Sequence, residues 1–282
     1  MTFGGILTAM VTPFDRDGAL DEEAAARLMR HLLENGSDGL VLAGSTGEAA
    51  TLTDEEKARL WAIGVAASGD APVIAGTGTY DTRHSAELTA RATEIGVDGV
   101  LVVTPYYNMP NRRGLVAHFR AVAGATDLPV VAYNIPSRCV VDMPNDLLAE
   151  LAQIDNVAAV KQARYEDLAL IDGLDLLAGN DDVLARVLEL GGTGGILVAS
   201  HLVGTEMRRM IDEPPRAAEI HDSLTDLFEA LTVTVNPIPV KTALALAGHD
   251  VGGFRLPLVD ASEDEAAVIR SALERHGLLA RV

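Results

Sequence analysis

The chain has 282 residues, 48% hydrophobic and 22% charged, with a net charge of −19 at neutral pH and a pI near 4.6. So acidic a surface repels phosphate and anionic lipid, which argues against nucleic acid and membrane as partners. The single cysteine, Cys139, allows no intrachain disulfide and suits a reducing cytoplasm.

The N-terminal run MTFGGILTAMVTPFDRDG is apolar but lacks a basic leader, so it reads as a strand and turn, not a signal peptide. No apolar run reaches the roughly 18 residues of a membrane span. Gly5–Pro13 is the first of eight short segments rich in Val, Ile and Leu. Asp21–Asn35 then sets Ala25, Leu28, Met29, Leu32 and Leu33 on one stripe, which predicts an amphipathic helix. The second strand is Gly39–Gly44, and Thr53 with Glu56 forms a capping box that opens the next helix. Strands follow at Pro72–Gly78, Gly99–Pro105 and Pro129–Pro136, and Pro144 suits a first helical turn. The sixth strand is Val157–Ala163. The segment after it, Tyr165–Asp172, is the weakest helix because it is short. Leu174–Gly179 and Gly194–Ser200 complete the eight.

Most of these runs are continuously apolar, as strands buried on both faces of a parallel sheet must be. Eight β/α units predict a closed (β/α)₈ TIM barrel, a fold that commonly takes roughly 250 residues as one domain. An open doubly wound sheet is the alternative, disfavoured by the count and by the lack of a glycine-rich loop after the first strand. The expected organisation is a barrel over 1–213 and a helical extension over 214–282 packed on it, with helices at Ala217–Leu231 and Ser262–His276.

Barrel enzymes place their chemistry at the C-terminal ends of the strands. Here those ends read Gly44-Ser45-Thr46-Gly47-Glu48, Thr104-Pro105-Tyr106-Tyr107-Asn108, Tyr133-Asn134-Ile135-Pro136-Ser137-Arg138, Val160-Lys161-Gln162 and Gly179-Asn180-Asp181-Asp182. Lys161 closes an apolar run. Burial would free its amine to attack a ketone and form a Schiff base; the plain alternative is a lysine that snorkels to water. Tyr133 is a candidate proton carrier; the plain alternative, which the residue taken alone favours, is a core ring with a bonded hydroxyl. The Gly-Ser-Thr-Gly segment offers hydroxyls and amides for a small carboxylate, or is a turn and nothing more. Arg138 could hold a second carboxylate or a surface ion pair. Cys139 reads as packing. Asp181 and Asp182 could bind a divalent metal or begin a helix. The seven histidines lack metal-ligand spacing, and there is no Walker loop.

Taken together and in order, these motifs resemble the dihydrodipicolinate synthase and N-acetylneuraminate lyase family. The similarity runs from Leu7-Thr8-Ala9-Met10-Val11-Thr12-Pro13-Phe14 to Arg255-Leu256-Pro257-Leu258. The strand-four motif, Arg138 and Asn236-Pro237-Ile238-Pro239-Val240-Lys241 look like the synthase branch. The resemblance implies an imine between Lys161 and pyruvate, and a proton relay of Thr46, Tyr133 and a Tyr107 supplied by a neighbouring subunit. It implies a pyruvate site formed by Ser45, Thr46 and backbone near Gly179 and Ile196, with Arg138 on the carboxylate of aspartate semialdehyde. It further implies a tetramer of tight dimers and no metal or organic cofactor. The chain departs from the usual pattern at Ser45, at Gln162 and at Arg164-Tyr165. At positions that hold lysine in feedback-sensitive relatives it carries Asp54, Lys57, Tyr80 and His84, from which weak or absent inhibition by lysine is expected. Two other readings remain: an aldolase of the same family acting on a sugar acid, and a non-catalytic keto-acid-binding barrel. Arg138 argues against the first, and the complete set Thr46, Tyr107, Tyr133 and Lys161 against the second.

Overall fold

In the computed structural model, which describes residues 3–166 and 168–280, eight parallel strands close into a barrel in sequence order. They are β1 Gly5–Ala9, β2 Gly39–Leu42, β3 Val73–Gly76, β4 Gly99–Val103, β5 Val130–Asn134, β6 Val157–Gln162, β7 Asp175–Ala178 and β8 Gly194–Leu197. The helices are α1 Glu22–Glu34, α2 Asp54–Ala67, α3 Thr82–Ile95, α4 Arg112–Ala123, α5 Pro136–Cys139, α6 Asn145–Leu151, α7 Leu184–Leu190, α8 Ser200–Asp212, α9 Ala217–Ala230, α10 Ile238–Leu246 and α11 Glu263–Arg275.

The strands are mostly apolar on both faces because alternate residues serve two different cores; the polar exceptions, such as Asn134, Lys161 and Gln162, lie at strand ends. Leu7, Val41, Ile74, Leu101, Val131, Ala159, Leu177 and Ile196 fill the barrel interior. Their neighbours, among them Leu40, Leu42, Val100, Val102, Ala132 and Val160, pack outward beneath the helices. The register pairs Tyr133 with Lys161 and Lys161 with Leu177, so these three inward residues share one level near the barrel mouth.

All eight expected strands are present, but each ends sooner than expected. Met10, Val11 and Thr12 are buried yet irregular: the Met10 amide still donates to the Val41 carbonyl at 3.0 Å, but the Val11 amide turns to His201 Nε2 of α8 at 3.1 Å and the Thr12 carbonyl accepts from Lys241 at 3.0 Å. Asp21 caps α1, and Thr53 and Glu56 form the reciprocal capping box of α2. Pro144 stands at the N-cap of α6, one residue ahead of the helix. The helix expected at Tyr165–Asp172 does not form among the described residues, and Asp167 lies outside them. Side chains there are committed elsewhere: Arg164 pairs with Asp142 and Glu166, and the Tyr165 hydroxyl donates to Asp182 at 3.1 Å.

Beyond β8, α8 packs on β1, α9 on α7 and α8, and α10 on α8 and α11. Ser262 opens α11 with a second capping box. No helix among the described residues is long and apolar enough to cross a membrane.

Candidate active site

The chain contains three lysines, Lys57, Lys161 and Lys241, and all three are buried. Two sit beside acids: Lys57 lies 3.6 Å from Asp54, and Lys241 lies 3.0 Å from Glu48. Lys161 instead has its Nζ 4.2 Å from the centroid of the Tyr133 ring, in a cavity of about 260 Å³ at the barrel mouth. Removal from water lowers its ammonium from 10.5 to about 7; Asp181 opposes the shift and Arg138 assists it. A good fraction of the amine is therefore free at neutral pH, in a side chain that does not reach bulk solvent. Burial pushes the Tyr133 phenol well above its usual range, so it stays neutral and able to donate.

The loop after β2 forms one wall. Ala43 and Glu48, on either side of the Gly-Ser-Thr-Gly turn, both have positive φ, at 54° and 55°. Such conformations persist where the surroundings enforce them. Lys241 of α10 does so from below, donating to Glu48 Oε1 and to the Thr12 carbonyl at 3.0 Å each, and to the Gly253 carbonyl. The Arg255 amide takes the other Glu48 oxygen at 3.3 Å, and the Thr12 hydroxyl holds the Gly47 carbonyl at 2.6 Å. Removing one partner of such a buried pair costs about 3–5 kcal/mol. On this platform Ser45 is exposed to the cavity and Thr46 is nearly covered, at 4%.

Opposite, Gly179 ends β7 with no room for a side chain: a Cβ would lie 2.6 Å from the Gln162 carbonyl. Arg138, on the short α5, borders both this cavity and a second one of about 340 Å³ that runs outward past Lys57, Tyr106 and Pro257. Its guanidinium donates to the Asn236 carbonyl at 3.0 Å. Cys139 is buried and its thiol is pushed up to about 11, as suits a packing residue. Gln162 faces away from the cavity and accepts from Asn134 and the Arg164 amide, at 3.1 Å each.

One chain thus brings together Ser45, Thr46, Tyr133, Arg138, Lys161 and Gly179. Ile196 lies deeper, fully buried in the barrel interior, and Val198 forms the wall at that strand end. Tyr107 is not on the wall; it is 90% exposed, with a φ of 70°. Two residues have roles in the site that the sequence motifs did not assign: Asp181, read there as a metal ligand or a helix start, and Asn236. Asp181 lines the cavity, accepts from the Val198 and Ala199 amides at 2.9 Å each, and has its carboxyl raised to about 6 by burial. It anchors the end of β8 and balances Lys161. Asn236 enters from the connection before α10, and its side-chain amide donates to the Thr46 hydroxyl at 2.8 Å. The proline-rich motif around Asn236 was the available signal, but nothing local ties it to Thr46.

A buried free amine, a neutral phenol beside it and a wall of hydroxyls and amides are the parts needed to form an imine with a small keto acid. The model of the dihydrodipicolinate synthetase family matches residues 2–276. A 4-hydroxy-tetrahydrodipicolinate synthase of Heliobacterium modesticaldum is 46% identical, covering 99% of this chain and 97% of the relative. Among solved structures, the dihydrodipicolinate synthase of Cyanidioschyzon merolae with lysine bound is 41% identical, with a TM-score of 0.95 over 98% of this chain and 99% of that one. A structure described as the first monomeric dihydrodipicolinate synthase variant has a TM-score of 0.93 at 37% identity, covering 98% of each chain.

Proposed function

Because the chain belongs to the dihydrodipicolinate synthetase family, we propose that it condenses pyruvate with L-aspartate 4-semialdehyde to 4-hydroxy-tetrahydrodipicolinate, in lysine and diaminopimelate biosynthesis. The observation that carries this reading is Lys161: buried, facing a cavity and set against the Tyr133 ring at 4.2 Å. Its amine adds to the pyruvate carbonyl, and the carbinolamine loses water to leave an iminium. The iminium draws electrons and the methyl group gives up a proton, forming an enamine. The enamine carbon attacks the aldehyde of the second substrate. That substrate's own amine then displaces Lys161 from the imine carbon, closing the ring and restoring the free lysine.

In this scheme Thr46 and Tyr133 carry protons, joined by Tyr107 from a neighbouring subunit. Ser45, Thr46 and backbone near Gly179 and Ile196 receive pyruvate, the last of these where β8 gives way to Val198 on the wall. Arg138 meets the carboxylate of the aldehyde, which favours a substrate with its own acid group over a neutral sugar chain. The reaction needs no metal or organic cofactor, because the iminium is its electron sink.

The reading extends to a cytoplasmic homotetramer built as a dimer of dimers. The exposure of Tyr107 beside the exposed Met109 and Tyr80 supports a subunit contact at this point. It also treats 214–282 as an extension of the barrel, supported by Asn236 and Lys241 reaching back to the β2 loop. Turnover with pyruvate and aspartate semialdehyde, together with borohydride trapping, tests the proposal. The reduced pyruvyl adduct is expected on Lys161. An adduct on Lys57 or Lys241, or turnover of a sugar acid but not of aspartate semialdehyde, overturns it.

A further inference from the structure

We infer that Asn236 is a positioning residue for the condensation: its side-chain amide aims the Thr46 hydroxyl, and its main-chain carbonyl holds Arg138. The inference rests on the Schiff-base reading above and deepens it.

Asn236 is 190 residues from Thr46 in sequence, yet its Nδ2 donates to Thr46 Oγ1 at 2.8 Å. An amide nitrogen can only donate, and a hydroxyl has a single proton. With a lone pair of Thr46 engaged, the hydroxyl proton must point to another acceptor, in a cavity whose walls include Tyr133 and Lys161. The carbonyl of the same residue accepts from Arg138 at 3.0 Å. Asn236 also borders both cavities, as Arg138 does. Its Oδ1 is buried with no hydrogen-bond partner among the described residues. Five residues on, Lys241 pins the start of α10 to Glu48, in the loop that carries Thr46. Asn236 and Thr46 are therefore held as one unit, and the two halves of the reaction meet at a single residue.

The side chain and the main chain can be tested apart. Asn236→Asp keeps the shape but removes the donor, so Thr46 must turn its proton toward the carboxylate. Asn236→Ala removes the partner and leaves the hydroxyl unaimed. Exchange of the pyruvate methyl protons with deuterated solvent, followed by NMR, reports imine and enamine formation without the second substrate. We expect exchange to fall by about tenfold or more in Asn236→Asp, and by less in Asn236→Ala. A residue that only packs would give the opposite order, since aspartate fills the space and alanine does not. KM for aspartate semialdehyde should change less than about twofold in either variant, because the carbonyl on Arg138 is untouched. In a Thr46→Val background, either substitution should lower exchange by less than about twofold further.

Full exchange in Asn236→Asp, a greater loss in Asn236→Ala, or losses that multiply with Thr46→Val would each overturn the inference. Should the aspartate variant not fold, the alanine variant alone and combined with Thr46→Val decides the question: losses that multiply overturn the coupling, and losses that do not multiply support it. If the unaltered protein neither exchanges pyruvate protons nor traps at Lys161, the Schiff-base reading falls. If it does both and Asn236→Asp exchanges normally, only the role of Asn236 falls.

Discussion

Replacing Lys161 with methionine should abolish condensation and at the same time make the protein harder to unfold at neutral pH. Burial lowers the Lys161 ammonium from 10.5 to about 7, which at about 1.4 kcal/mol per pH unit caps the cost of folding around this amine at about 5 kcal/mol. The sign follows from proton counts. Between pH 7 and 10.5 the unfolded chain holds the proton and the folded chain does not, so stability rises with pH across that window. The penalty is nearly full at pH 7 and mostly gone at pH 10. Methionine matches the length of the stem and carries no charge. If it recovers about half of the penalty, the gain is ~2 kcal/mol at pH 7, or about 4–8 °C in Tm for a domain of this size. Thermal unfolding of both proteins at pH 7 and pH 10 measures it, with the gap expected to shrink toward the higher pH. A variant less stable at pH 7, or a gap independent of pH, would show that Lys161 is held charged in a stabilising network and is no ready nucleophile.

Arg138→Ala should lower kcat/KM for aspartate semialdehyde by about 10- to 150-fold, the equivalent of roughly 1.5–3 kcal/mol for one charge-assisted contact. Borohydride trapping with pyruvate should change little; equal losses in both assays would place Arg138 elsewhere. Mixing Tyr107→Phe with Lys161→Ala subunits should restore part of the lost activity through hybrid dimers, and hybrids that form but stay inactive would refute the cross-subunit role of Tyr107. Free lysine should inhibit weakly or not at all, because Asp54 is already shared between His84 at 2.9 Å and the buried Lys57 at 3.6 Å and Lys57 adds a cation where the ligand's ammonium would bind. Sub-millimolar inhibition in an initial-rate titration at fixed pyruvate would show that a lysine site survives.

The strands were legible because a doubly buried strand must be mostly apolar on both faces, and few other segments are. Their C-terminal limits were not: Met10 and Val11 are as buried as β1 itself, and hydrophobicity does not distinguish a paired residue from one whose amide turns elsewhere, as that of Val11 does. The capping boxes at Thr53 and Ser262 rest on contacts three residues apart and could be read from spacing alone. Lys161 stood out as a charge at the end of an apolar run. The roles of Asp181 and Asn236 did not, since they come from partners 17 and 190 residues away. A parallel barrel gathers its site from the ends of separate strands, so most site contacts are long-range. Asp182 beside Asp181 masked the difference between a carboxylate fixed by two amides and one bonded to Tyr165.

The burial of all three lysines has a practical consequence. Among the described residues arginines supply the permanent cationic side chains of the surface, so amine-directed reagents find no exposed lysine on the folded chain. Glutaraldehyde and bis-succinimidyl ester cross-linking will under-report any assembly, whereas carbodiimide coupling through the abundant carboxylates will not. A lysine-specific protease should cut only after the barrel opens, which makes its cleavage rate a clean measure of unfolding. An arginine-specific protease on the same sample would report local surface mobility instead.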